Sequence, residues 1–238
     1  MSFNESLQRN YQSIRDRIVK AAGSPEAAEK ITLIAVTKTQ PIEAIEELHR
    51  LGHRDFGENY VQEMVEKATT LSARGLSGIR WHFIGHLQTN KVKNVLPYAH
   101  AIHAVDSEKL AREIARQAQK FNIGPIPVFV SVNLHYETTK TGFKPDELEK
   151  FTALIASFPE LKILGLMCIP SPAGNVARSF ADLRELEKDC RPSTQGALSM
   201  GMTQDFEEGI RQGSTHIRVG TALFGERPPK TPTPPPLQ

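Results

Sequence analysis

The sequence predicts an α/β fold, a single (β/α)₈ TIM barrel with one extra helix at its N-terminus. Eight short apolar or β-branched-rich stretches run along the 238 residues, and each but the last is clearly followed by a stretch with helical spacing. Strict β–α alternation points to a parallel sheet. Eight such units close a barrel, whereas five or six would leave an open, doubly wound sheet. The length lies close to the ~250 residues typical of such barrels.

Residues 3–22 place Leu7, Tyr11, Ile14, Ile18 and Ala22 at helical spacing with charged residues between them, and Gly23 and Pro25 follow. That pattern predicts an amphipathic helix closing one end of the fold, stopped by the glycine and proline. The first strand is ITLIAV in 31–38, a nearly continuous apolar run of the kind buried on both faces of a parallel sheet. A helix over 41–51 opens on Pro41, well placed at a first turn. The alternation continues with a strand at 53–57 and a helix at 58–71, then a strand at 80–84 and a helix near 89–96. A fourth strand at 101–105 precedes a helix at 107–121, with Ser107 as its N-cap. A fifth strand at 126–133, the longer loop 134–144 and a helix at 145–158 come next. The last units are strand 161–167 with helix 177–189, strand 197–200 with helix 204–212, and strand 216–219 followed by GTALFG. Residues 228–238 (PPKTPTPPPLQ) are proline-rich and predict a disordered or polyproline-like tail, so the barrel domain is 1–227.

Composition narrows the function classes. A charged fraction of 24% and a hydrophobic fraction of 39% fit a soluble globular protein, and a formal net charge of +2 calls for neither nucleic acid nor an anionic membrane. Cys168 and Cys190 are too few for a disulfide framework or a cysteine-based metal site. There is no apolar signal-peptide core and no run long enough for a membrane helix, so the expected compartment is the cytoplasm. A Walker-type lysine loop is missing, as is a G-x-G-x-x-G after the first strand, which lowers a nucleotide-binding reading. His82 and His86 are four apart, as are His49 and His53, but neither pair falls within one helix, so the metal-sharing argument for that spacing fails. Cys168 reads as a small buried residue and Lys91–Lys93 as a solvated helix face. Glu137 and Lys140 would either fold over the site or pair on a surface loop.

In a barrel the functional groups stand at the strand C-termini. Lys38 ends the first strand, where the walls of a pocket would lower its pKa and free the amine to condense with a carbonyl; from this stretch alone the plainer reading, a lysine reaching out to water, is the favoured one. Ser199, Gly220 and Thr221 fall in the segments after strands seven and eight, the usual phosphate site of such barrels, with a plain glycine turn and Thr221 as a helix N-cap as the alternative. Arg218 shares a face with His216 and Gly220 by the two-residue period, and an inward guanidinium there needs an acceptor, with a barrel carboxylate as the plain alternative. A phosphorylated aldehyde would satisfy lysine, arginine and phosphate cradle together: pyridoxal 5′-phosphate (PLP), or a sugar phosphate as in a Schiff-base aldolase.

Seven segments then carry a resemblance. They are AVTKTQP (35–41), FGENYVQE (56–63), WHFIGHLQTNK (81–91), N-x3-E-x2-K-x-G-F (133–143), GLMCIP (165–170), LSMGMTQDFEEGI (198–210) and GSTHIRVGTALFGER (213–227). In this order they resemble the pyridoxal phosphate homeostasis family, related in fold to the N-terminal barrel of alanine racemases. The resemblance implies that Lys38 holds PLP as a Schiff base, that Ser199, Gly220 and Thr221 help hold the phosphate, that Arg218 faces the pyridine nitrogen, and that Asn59 and Met200 line the pocket. A guanidinium opposite that nitrogen cannot accept its proton, so the nitrogen stays unprotonated and a carbanion is poorly stabilised. Related racemases tolerate this because a second domain of the partner subunit brings a tyrosine, and 227 residues of barrel leave no length for one. The expectation is therefore a non-catalytic, monomeric carrier that buffers PLP and supplies apo-enzymes by transient contact, affecting amino-acid metabolism. A PLP-dependent amino-acid racemase and a sugar-phosphate aldolase are the alternatives. Nothing is implied for the loop 134–141 or for the proline-rich tail.

Overall fold

The computed structural model describes residues 2–171 and 174–225. The tail at 228–238 and the end of the barrel domain at 227 lie outside the described residues. Helix α1 (Phe3–Ala22) begins with a reciprocal cap: Ser2 Oγ accepts from Glu5 N–H while the Glu5 carboxylate accepts from Ser2 N–H. It stops where the sequence stops it, with Gly23 at φ 84°. A short helix, α2 (Pro25–Ala28), follows where the sequence predicts only a break.

The barrel comprises β1 (Thr32–Val36), β2 (Asp55–Glu58), β3 (Arg80–Phe83), β4 (Ala99–Val105), β5 (Ile126–Ser131), β6 (Leu161–Met167), β7 (Ala197–Met202) and β8 (His216–Val219). Each pairs in parallel with the next, and β8 closes on β1 through Thr32–His216 to Ala35–Val219. The helices between them are α3 (Ile42–Arg50), α4 (Val61–Ala73), α5 (Val92–Val95), α6 (Glu108–Phe121), α7 (Leu148–Ala156), α8 (Val176–Asp189), α9 (Phe206–Arg211) and, after β8, α10 (Thr221–Phe224). Type and order follow the sequence expectation, and element ends move by a few residues. The second strand starts at Asp55 rather than 53 because His53 N–H still bonds Leu48 O at the end of α3. The fourth helix starts at Val61 because Glu58 is still in the ladder with Phe83. None of the helices among the described residues is long and apolar enough to cross a membrane.

Side chains alternate between two environments. Leu33 and Ala35 of β1, Phe56, Trp81, Phe83, Leu198, Met200, Ile217 and Val219 point outward into the large apolar layer shared with the helices. The opposite set points into the barrel, where the apolar cluster is small: Ala104, Phe129 and Met167. Histidines and arginines fill much of the rest. Helix α1 straps the seam where the barrel closes: Arg17 pairs with Glu207 of α9 at 2.6 Å, Asn10 donates to Leu223 O of α10 at 3.0 Å, and Gln8 donates to Glu47 of α3 at 2.6 Å.

Candidate functional site

Lys38 follows β1 in the loop to α3, in phase with the inward positions 32, 34 and 36. The backbone beside it is unusual. Thr39 has φ 63°, a left-handed conformation that a β-branched residue rarely adopts. It is held there by Glu63 of α4, whose carboxylate accepts from Thr39 N–H. The same carboxylate takes a 2.6 Å bond from Lys67, whose ammonium also bonds Thr37 O at 2.6 Å and Glu58 Oε1 at 2.7 Å. Thr37 Oγ1 donates to the same Glu58 oxygen at 2.7 Å. Lys67 is buried, so all three of its donors serve this loop. Burial raises the Glu58 carboxyl above the ordinary range, opposed by the charge and hydrogen bond of Lys67 and by the Thr37 hydroxyl. A lysine in mid-helix gives no sequence signal of this task.

Arg218 is 5% exposed and points into the barrel. Its Nη1 donates to Ser199 O and Ser199 Oγ, both at 2.7 Å, and its Nη2 donates to Cys168 O at 3.0 Å. No carboxylate pairs with it among the described residues, so the barrel carboxylate of the alternative reading is replaced by neutral oxygens. Its Nε–H and one Nη2 hydrogen have no acceptor there, which leaves two donors for a ligand. Burial lowers its pKa from the usual arginine value.

A cavity of ≈ 390 Å³ opens at the C-terminal ends of the strands, within the range of small-ligand sites. Its wall brings together Lys38, Asn59, Arg218, Gly220 and Thr221 of the predicted set, with Ile84, Ile169 and Thr203. Asn59 Oδ1 is buried without a hydrogen-bond partner among the described residues, so the site lacks a donor that a ligand could bring. Gly85 fits beneath it because a Cβ there would stand 2.2 Å from Asn59 O. A larger cavity of ≈ 500 Å³ lies at the strand N-termini, away from the end where barrel chemistry sits, and one of ≈ 590 Å³ between α1 and α9 borders the site on its outer side, sharing Gln204 and Asp205 with it. An adjoining cavity of ≈ 250 Å³ shares Asn59, Ile84 and Ile169 and includes Lys140. Lys140 pairs with Glu137 at 2.7 Å and reaches Ile169 O at 3.2 Å.

Two predicted residues are not on the wall. Met200 is fully buried in the outer apolar layer, one step out of phase with the inward positions. Ser199 points inward but lies under Arg218, bonded to it and to His103 Nδ1 at 2.8 Å. Strand β7 runs two residues beyond its predicted end, so the hydroxyl that reaches the wall after it is Thr203, which also accepts from Ala222 N–H at 3.3 Å. Thr203 stands in the quoted motif LSMGMTQ; counting β7 to its true end would have found it. Cys168 is buried, and burial pushes its thiol up to about 12, as expected of an inert packing residue.

The family model "Alanine racemase, N-terminal domain" matches residues 4–228. A pyridoxal phosphate homeostasis protein of Escherichia coli strain K12 is 38% identical over 228 residues, covering 93% of this chain and 97% of that one. A protein of the same name from Aquifex aeolicus is 41% identical over 223 residues, covering 90% and 95%. Among solved structures, PipY of Synechococcus elongatus with PLP bound superposes with a TM-score of 0.77 at 33% identity, covering 89% of this chain and all of PipY. An alanine racemase of Corynebacterium glutamicum reaches a TM-score of 0.69 at 16% identity, covering 94% of this chain and 62% of the racemase, a likeness of fold alone.

Proposed function

The chain belongs to the pyridoxal phosphate homeostasis protein family, and on that footing we propose that it binds PLP in the cavity at the barrel mouth and serves PLP homeostasis. The observation that carries this reading is the shared wall of Lys38, Arg218, Thr203 and Thr221. PLP offers an aldehyde that condenses with an amine, and Lys38 would supply the amine as a Schiff base. Thr203, Thr221 and the backbone at Gly220 would hold the phosphate, with Ser199 supporting from below through Arg218. Arg218 would aim its two remaining donors at the unprotonated pyridine nitrogen, and Asn59 Oδ1 would accept from a ligand hydroxyl.

The reading is of a carrier rather than a catalyst. Among the described residues that line the cavity there is no tyrosine, the residue that the related racemases set opposite the lysine. Arg218 in place of a carboxylate also makes a weak electron sink. All the residues invoked come from one chain, so a monomer suffices, and delivery to apo-enzymes would proceed through transient contact. Cys168 and Cys190 are both free thiols, which fits the reducing cytoplasm.

Absorption spectroscopy and mass spectrometry after borohydride reduction test this. The purified protein should take up PLP with a visible band and carry a reduced pyridoxyl adduct on Lys38, and Lys38→Ala should lose both. An adduct at another lysine would overturn the assignment, and sustained turnover of D- or L-amino acids would replace the carrier with a racemase.

A further inference from the structure

The barrel interior contains a single file of hydrogen bonds that ends on Arg218. At its far end Asp55 accepts from Arg80 Nε at 2.7 Å and lies 3.0 Å from His82 Nε2. His82 Nδ1 lies 2.9 Å from His103 Nε2, and His103 Nδ1 lies 2.8 Å from Ser199 Oγ. Ser199 Oγ in turn accepts from Arg218 Nη1 at 2.7 Å. The four residues Asp55, His82, His103 and Ser199 are buried, and they come from β2, β3, β4 and β7.

Chemistry allows one direction. A carboxylate only accepts, so Asp55 requires the hydrogen on His82 Nε2. Burial by itself would raise the Asp55 carboxyl, but the hydrogen bonds from Arg80 and His82 outweigh it and hold it below the ordinary carboxylate range. Burial above all, helped by the charge of nearby Arg218, pushes the His103 imidazole well below the ordinary range and keeps it neutral. Phe129 stacks on the His103 ring at 4.4 Å, so that face offers no polar partner. If His103 donated to Ser199, the serine hydrogen would have no acceptor among its contacts, and His82 would have to become a second cation beside Arg80. The opposite arrangement satisfies every atom: Arg218 donates to Ser199, Ser199 to His103, His103 to His82, and His82 to Asp55.

We propose that His103 is a positioning residue for Arg218, acting through Ser199: the file from Asp55 turns the serine oxygen lone pair toward the guanidinium and so fixes where Arg218 aims in the cavity. This stands in for the carboxylate that Arg218 lacks. The consequence for cofactor retention rests on the reading that the cavity holds PLP; the wiring itself does not.

The test uses the full chain with and without PLP. In the unliganded protein, nitrogen NMR should show His103 as a single neutral tautomer with its hydrogen on Nε2. His103→Phe should shift or broaden the Arg218 side-chain N–H signals, weaken PLP binding about tenfold and displace the absorption band. His103→Asn, which keeps an oxygen acceptor near the place of Nδ1, should restore all three readouts to near the wild-type values. Ser199→Ala, a smaller change, should reproduce the Phe variant and serves if that variant fails to fold. A purely structural role would lower the melting temperature of all three without moving the Arg218 signals. An Nδ1–H tautomer, or unchanged Arg218 signals in both His103→Phe and Ser199→Ala, would overturn the inference. Wild-type protein that binds no PLP would instead overturn the proposed function and leave the Arg218 readout to decide this one.

Discussion

Lys67 Nζ lies 2.6 Å from the carbonyl oxygen of Thr37, the residue immediately before Lys38. A buried cation on one helix thus holds the loop that carries the proposed reactive amine on the neighbouring strand. Its other two bonds, to Glu58 and Glu63, tie that loop to the end of β2 and to α4.

Removing the cation should be costly. Lys67→Met leaves Glu58 buried without its charge partner, and the expected loss of stability is about 3–5 kcal/mol. Lys67→Met combined with Glu58→Gln removes both buried charges and should recover much of that loss in a urea titration. It should still bind PLP more weakly than wild type, because Thr37 O and Glu63 lose their tether. Wild-type affinity in the double variant would show that the loop needs no such anchor.

The two threonines on the wall make a separate prediction about the phosphate. Thr203→Val or Thr221→Val should each weaken PLP binding by roughly ten- to a hundredfold, the effect of about 1.5–3 kcal/mol for a hydrogen bond to a charged group. Pyridoxal, which has no phosphate, should bind both variants as it binds wild type. Equal losses for the two ligands in a fluorescence titration would remove the threonines from the phosphate site.

Gly85→Ala should damage the mouth directly. The added carbon would stand 2.2 Å from Asn59 O and 2.8 Å from Asn59 Cα, and backbone cannot swing aside as a flexible side chain can. A loss of about 3 kcal/mol or more is expected from such overpacking, read as a lowered urea midpoint, together with weaker PLP binding as Asn59 is displaced.

Acid should destabilise the fold earlier than carboxylate titration alone predicts. Burial pushes His53 down to about 4 and His216 down to about 3 from the ordinary 6.5, the latter with help from neighbouring His82. Both depressed values mean that the unfolded chain binds protons first. Stability is therefore full above pH 6.5 and falls as the pH drops toward 4, by at most about 1.4 kcal/mol per unit for each histidine. Below the folded values no further loss comes from these two groups. Melting temperatures across pH 7 to 4 should decline, and His216→Gln should flatten the slope.

The strand count, the strand order and the residues at the ends of β1 and β8 were legible because a two-residue period and a β–α alternation leave few alternatives. Lys38, Asn59, Arg218, Gly220 and Thr221 meet on one wall as that reasoning expected. The assignment of Ser199 and Met200 to the wall depended on where β7 ends. The strand runs to Met202 and its pairing with β8 shifts register between Ser199 and Met202, so an early stop put the wrong hydroxyl at the mouth. Lys67 and His103 were illegible for another reason. Each looks like an ordinary member of its element, and its importance arises only when distant segments, such as Thr37 for one and Ser199 for the other, arrive beside it.

The division of labour between the two sides of each strand has a wider consequence. Greasy contact with the encircling helices supplies most of the cohesion, while among the described residues the lumen's own apolar cluster is small: three buried side chains with Leu164 and Ala197 packed against them. Selection acting on the lumen is thereby released from the duty of keeping the cylinder shut. Its polar contents can be rewritten to suit a different small molecule, provided each substitution leaves its neighbours' protons with somewhere to go.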